Sequence, residues 1–318
     1  MRLQESMAYY RNRLTACSKA VYDGLYNEMK KDTKALNYKF TVPYRCSTDD
    51  CSAAYRALTL DHPEFYALQY GVRFNVIGNV IRFMKNKNIS RNTAEHIERE
   101  LQDCILEITR GLGGHTEFEK EFIIYTRLTK MLSYSCKEKA THSILAPVLM
   151  HRGSCDGRSK LLALCLRAVG IPCIVVRDEE HMWNMASIDG HNVWLDCTYE
   201  VIKNDRLAYF YFNLDDRQLR IDHTIDRQLP KCTDSNYNFF SKFGLAFKNR
   251  QEVIDYIRLA YRDGADTISF KLKYADKQTL INVMQDGLPE GLNSYSYILN
   301  QSGDAVIMTF GDREKVSA

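Results

Sequence analysis

The run His151–Cys173, HRGSCDGRSKLLALCLRAVGIPC, constrains this chain more than any other stretch. From Asp156 onward, apolar residues recur at Leu161, Leu162, Leu164, Cys165, Leu166 and Val169, which predicts a largely buried helix. Gly170 is placed as its left-handed C′ residue, and Pro172 prevents continuation. Cys155 therefore falls at the helix N-terminus, between Gly153-Ser154 and Gly157, where small residues leave room for a substrate. The partial positive charge of a helix start stabilises a thiolate, and its unpaired N–H groups hold an oxyanion. Acyl transfer needs both. In a chain with ten cysteines, however, Cys155 alone fits an ordinary thiol as well as a nucleophile.

The residues that follow change that balance. Ile171–Arg177 reads as a short apolar strand. HMWNMASIDGHNVWLDCTYE then alternates on both sides of Asp189-Gly190, a two-residue hairpin signal. With those two residues as the turn, Trp183 faces Asp196. His181 shares the face of Trp183 and lies diagonal to Asp196, at about 7–8 Å between backbones. A thiol nucleophile requires a histidine base whose tautomer is held by a carboxylate, and His181 with Asp196 meets that need. The competing assignment makes the two a structural pair in a hairpin. His191, beside the turn, is assigned to solvent.

Bulk composition excludes several other classes. Among 318 residues, 43 basic and 40 acidic side chains leave a net charge of +3, which argues against a nucleic-acid or acidic-membrane partner. No run reaches the roughly 18 apolar residues of a membrane span. The opening MRLQESMAYYRNRL has no apolar core of a secretory signal, so a cytoplasmic setting is expected. The cysteines are scattered and form no C-x-x-C pair, which favours free thiols over a disulfide framework. A structural zinc site is disfavoured, because Cys46 and Cys51 lack paired ligands at finger spacing, and no D-x-[DN]-x-[DN]-G calcium loop occurs. No metal or other cofactor is expected.

Elsewhere, helical spacing predicts a first helix from about Glu5 to Met29 and a short one over Ala53–Leu60. Phe65 to Phe83 reads as two short strands. Ser90 is expected to cap a helix running to about Arg110, and another spans Glu117 to Ser133. Beyond Asn236 the pattern predicts helices over Gln251–Tyr261 and Lys277–Gln285, with strands over Thr267–Lys273, Ser294–Asn300 and Ala305–Phe310. Three parts result: an α-rich region over 1–115, a central part carrying the chemistry over 116–235, and a small α+β appendage over 236–318.

The motifs G-S-C-D-G, L-R-A-V-G-I-P-C, H-M-W-N, I-D-G and W-L-D-C-T-Y resemble the transglutaminase-like (transglutaminase core) superfamily, nearest to its bacterial members of unassigned substrate. The match is specific from about Glu119 to Thr224, with a weaker echo at Leu60-Asp61-His62-Pro63-Glu64. By resemblance, Cys155, His181 and Asp196 are the catalytic residues, and 116–235 is a papain-like α+β core whose nucleophile helix packs on an antiparallel sheet. The resemblance further implies a peptide or protein substrate attacked through a thioester, giving a protease, an amidase or a transglutaminase. The family also uses a side chain upstream of the cysteine in its oxyanion hole, for which Tyr134 is the candidate. Trp183 and Arg158 are placed near the substrate. Arg158 is a departure, a cation where relatives carry a neutral aromatic; it points to an acidic substrate or to a surface ion pair. Met182 and Tyr199 replace the more usual alanine and tryptophan. The competing class is a catalytically idle binding or assembly module on the same fold, against which the complete triad argues.

Overall fold

Most helix starts follow capping side chains in the computed structural model, which describes residues 8–86, 89–137, 143–292 and 294–311. Thr15 Oγ1 accepts the Ser18 N–H and opens α1 (Ala16–Lys31). This start lies later than the expected Glu5, and residues 5–7 fall outside the described set. Arg11–Arg13 form a separate 3-10 turn, after which Leu14 is extended, so Tyr9 is buried from a turn rather than from the helix. A short strand, β1 (Asn37–Thr41), follows. A Ser47–Asp50 capping box then begins α2 (Thr48–Asp61), five residues before the apolar pattern does.

The expected pair of strands is present as β2 (Val72–Ile77) and β3 (Val80–Lys85), turned at Gly78 with φ +65°. Tyr66–Tyr70, included in the strand expectation, is instead a 3-10 turn. Strand β1 completes a sheet of order β1-β3-β2. One face of this sheet shares a core with α1 and α2 through Val21, Leu25, Met29, Leu58, Ile81 and Phe83.

Ser90 caps α3 (Arg91–Thr109), and a Thr116–Glu119 box opens α4 (Glu117–Met131). Two-residue strands β4 (Ser133–Tyr134) and β5 (Arg152–Gly153) pair in parallel on either side of α5 (Leu145–Met150). Helix α6 (Cys155–Ala168) begins directly after β5 and is followed by Gly170 at φ +86°. It packs against α3, α4 and α5 and against the antiparallel strands β6 (Cys173–Arg177) and β7 (Met182–Ile188). Asp189 and Gly190 both adopt left-handed φ, +50° and +84°, and lead into β8 (His191–Leu195). That is the primed-turn geometry their identities predict.

The chain divides into two compact units, Met1–Asn192 and Val193–Ala318. In the second, β11 (Phe212–Leu214) pairs with Trp194 and Leu195 of β8, after the small hairpin β9 (Ile202–Lys203) and β10 (Arg206–Leu207). Short helices α7 (Asp216–Leu219) and α8 (Phe239–Lys242) follow. The C-terminal sheet has order β12-β13-β15-β14, built from β12 (Ala246–Phe247), β13 (Thr267–Leu272), β14 (Tyr295–Leu299) and β15 (Ala305–Phe310). Helices α9 (Arg250–Arg262) and α10 (Lys277–Gly287) cover it, burying Ile257, Phe270, Leu280 and Val306. The protein is thus of mixed α+β class. Among the described residues no helix is long and apolar enough to cross a membrane.

Candidate active site

Cys155 is the first residue of α6 and is half-buried. Ser154 before it is extended, and Ser159 Oγ donates back to the Cys155 carbonyl at 2.7 Å, tightening the first turn. The first N–H groups of such a helix have no intrahelical acceptor and face the region around the thiol. Close approach of the preceding chain explains Gly157. A Cβ there would lie 2.8 Å from the Ser143 carbonyl oxygen and 2.9 Å from Pro147 Cδ.

His181 stands one residue before β7, partly buried. Its loop is gathered by Asp178, whose Oδ1 accepts the N–H groups of Glu180 and His181 at 3.0 and 2.8 Å. The imidazole stacks on Trp183, with 5.8 Å between ring centroids and 19° between planes. Asn184, fully buried on β7, donates Nδ2 to the Ser159 carbonyl of α6 at 2.9 Å. A strand residue three after the histidine is therefore bonded to a helix residue four after the cysteine.

Asp196 belongs to the second unit and is buried. Its backbone N–H donates to the Tyr211 carbonyl at 3.1 Å, and Oδ1 accepts from Thr198 and Tyr199 at 2.7 and 3.2 Å. Oδ2 faces His223 Nε2 at 3.0 Å. The other ring nitrogen, Nδ1, is 2.6 Å from Asp222, whose second oxygen accepts the Tyr211 hydroxyl proton. Burial alone would pull the His223 pKa down, but hydrogen bonds and charge from Asp196 and Asp222 outweigh it and raise the value. The ring thus lies between two carboxylates, an arrangement that favours its protonated form.

Residues 106–199, which include Cys155, His181 and Asp196, match the Transglutaminase-like superfamily. The chain carries a transglutaminase-like segment. No curated protein matches it. Two solved structures are similar in part. One is a crystal structure of a TGase, with 14% identity and a TM-score of 0.32 over 57% of this chain and 59% of that one. The other is a candidate protease from Parabacteroides distasonis ATCC 8503, with 16% identity and a TM-score of 0.25 over 39% and 35% of the two chains. This chain spans about three fifths of the first and about a third of the second.

Three further residues of the transglutaminase-like segment were expected near the site. Tyr134 is 58% exposed and sits on β4 opposite Gly153, two residues before Cys155. Trp183 is 1% exposed and lies beneath the His181 ring. Arg158 is buried rather than open to solvent. It is 4% exposed, and its guanidinium donates to the Leu132 carbonyl at 3.1 Å, which ties α6 to the end of α4. Helical geometry turns position 158 toward α4, within reach of that carbonyl.

Asn184, Asp178 and His223 were not anticipated. Asn184 stands inside the quoted H-M-W-N motif, and a polar residue on a buried strand was the available signal. His223 lies 27 residues beyond Asp196 and carries no local signature. Outside the segment, Cys17, Cys46 and Asp50 bring potential ligand atoms within 4.8 Å of one another. Asp50, however, already accepts from Ser47 and Ser18 in capping α2, so the trio fits a capped turn as it stands.

Proposed function

We propose that this protein is a cysteine-dependent amide-bond enzyme, with Cys155 as nucleophile, His181 as base and acid, and Asp196 as the carboxylate that orients the imidazole. The observation that carries this reading is the half-buried Cys155 opening α6, within a transglutaminase-like segment that also holds His181 and Asp196. In the papain-like arrangement this implies, α6 packed on β6 and β7 is the nucleophile helix on its sheet.

The chemistry follows from the residue types. His181 takes the thiol proton, and the Cys155 sulfur attacks the carbonyl carbon of a peptide or side-chain amide. The negative charge on the carbonyl oxygen is met by N–H groups at the start of α6 and by the Tyr134 hydroxyl. Collapse of the tetrahedral species breaks the C–N bond, and the imidazolium returns its proton to the leaving amine. A thioester remains on Cys155. Water then releases an acid, or a second amine forms a new amide. Asp196 steadies the imidazolium, and His223 with the Thr198 and Tyr199 N–H groups holds the Asp196 carboxylate in place. Trp183 fixes the tilt of the His181 ring.

The test is alkylation of the folded protein with iodoacetamide, read by peptide mapping. Cys155 is expected to label ahead of the other nine cysteines, and His181→Ala to remove that advantage. Equal labelling of all accessible thiols would refute the assignment. Release of ammonia from amide substrates, against incorporation of a labelled amine, then separates hydrolysis from transfer.

A further inference from the structure

Beside Cys155, within the first unit, lies a cleft of about 260 Å³ bounded by α2, the start of α6, the end of β6 and the start of β7. Its wall includes Asp156 and Lys160 from α6, Arg56 and Leu60 from α2, Arg177 from β6 and Met182 next to His181. Three cations and one carboxylate therefore line a recess that begins one residue from the candidate nucleophile. We propose that this cleft is a substrate subsite for a carboxylate, and that the enzyme prefers an amide with an acidic group close to the bond attacked. The proposal rests on the reading of Cys155 as nucleophile and names the substrate class that reading leaves open.

Lys160 is the decisive residue. It is 6% exposed, lines the cleft, and its ammonium makes no hydrogen bond or ion pair among the described residues. A buried cation without a partner is costly, and the protein retains one here, pointing at an open recess. Burial lowers its pKa and Arg177 adds to that, while Asp156 and Cys155 act in the opposite direction. A carboxylate entering the cleft supplies the missing counter-charge in a desolvated setting, where charge-assisted hydrogen bonds are strong.

The remaining groups set the charge and the distance. Arg56 and Arg177 are exposed at the rim, where guanidinium groups capture carboxylates bidentately on entry. Asp156 offsets one of the three cations, which leaves the cleft with an excess of positive charge to receive a carboxylate. Leu60 and Met182 provide apolar wall for the methylene groups of an acidic side chain. Lys160 lies five residues along α6 from Cys155, a rise of about 7.5 Å. An extended peptide advances about 3.3–3.6 Å per residue, so the acidic group falls about two residues from the scissile amide. The acidic preference first attached to Arg158 is thereby assigned to other side chains.

The experiment uses the full chain and two independent readouts. In the first, Cys155 is alkylated with iodoacetate and with iodoacetamide, the rate ratio being normalised to that of glutathione. The ratio is expected to favour the anionic reagent by about tenfold in the native protein. It is expected to return to the glutathione value in Arg177→Gln and Lys160→Met, with Arg56→Gln, an exposed rim change, as the variant least able to disturb folding. In the second, calorimetry follows acetylated pentapeptides carrying internal Glu or Gln, each with a free or an amidated C-terminus. Binding that follows Glu identifies a side-chain carboxylate, and binding that follows the free terminus identifies a chain end. Cys155 reactive with a glutathione-like ratio, and no carboxylate-dependent binding, overturns the subsite and leaves the nucleophile standing. Cys155 inert to both reagents, with carboxylate-dependent binding lost in Arg177→Gln, sustains the subsite and removes the catalytic reading.

Discussion

Asn184 Nδ2 donates to the Ser159 carbonyl across 2.9 Å, joining the strand that follows His181 to the helix that Cys155 begins. The same amide lies 3.4 Å from the Ile174 carbonyl, so one buried side chain spans α6, β6 and β7. The helix that begins at Cys155 and the strand that follows His181 are thereby held in a fixed relation by one buried amide.

Replacing Asn184 with alanine removes a buried hydrogen bond between β7 and α6, a loss of about 0.5–1.5 kcal/mol. Chemical denaturation is expected to show the loss as a lower midpoint. Iodoacetamide labelling of Cys155 is expected to slow even at temperatures where the variant remains folded. Unchanged stability together with unchanged labelling would remove Asn184 from the positioning role.

Gly157 offers a steric test of the same helix. With a Cβ 2.8 Å from the Ser143 carbonyl and 2.9 Å from Pro147 Cδ, Gly157→Ala forces the start of α6 away from α5. Overpacking of this kind costs about 1–3 kcal/mol. Alanine is the better helix former, so propensity alone predicts a gain. A lower thermal midpoint together with weaker Cys155 reactivity distinguishes the steric account from propensity.

His223 should leave a signature in the pH dependence of stability. Its folded pKa is raised above the ordinary 6.5 because Asp196 and Asp222 overcome the effect of burial. A raised pKa means the folded state holds the proton more tightly than the unfolded chain does. The contribution is therefore full below about 6.5 and is lost as pH rises through the folded value. Denaturation midpoints of the native protein are expected to fall more steeply above pH 6.5 than those of His223→Gln. Parallel curves would refute a charged His223.

Thiol selectivity provides a further check, because burial silences several competitors. It pushes Cys51 up to about 12 and Cys104 up to about 11, and raises Cys165 well above the usual range. These three are expected to stay unlabelled at pH 7.5 until the protein unfolds. Exposed Cys136 is expected to be labelled in the folded protein, at a rate that Cys155→Ser leaves unchanged. Labelling of Cys165 in the folded protein would contradict the packing described for α6.

Local chemistry explains which parts of this protein are legible from sequence alone. Ser90, the Asp189-Gly190 turn and Gly170 act within a few residues of themselves, and the helix start, hairpin turn and helix stop they predict are all present. Capping side chains also account for misplaced boundaries: Thr15 and Ser47 start α1 and α2 where polar side chains meet free N–H groups, away from the apolar pattern. The short strand β1 and the 3-10 turn at Tyr66–Tyr70 depend on distant partners, and periodicity alone misses both.

Sequence by itself determined the Cys155 helix, the strands that follow it and the family to which residues 106–199 are similar. Only tertiary structure decided that Arg158 reaches the Leu132 carbonyl, that Asn184 reaches Ser159, and that His223 faces Asp196. Caps and turns are satisfied by atoms a few positions away. The partners of a buried charge or amide are whichever groups the packed core brings within about 3 Å, at any separation along the chain.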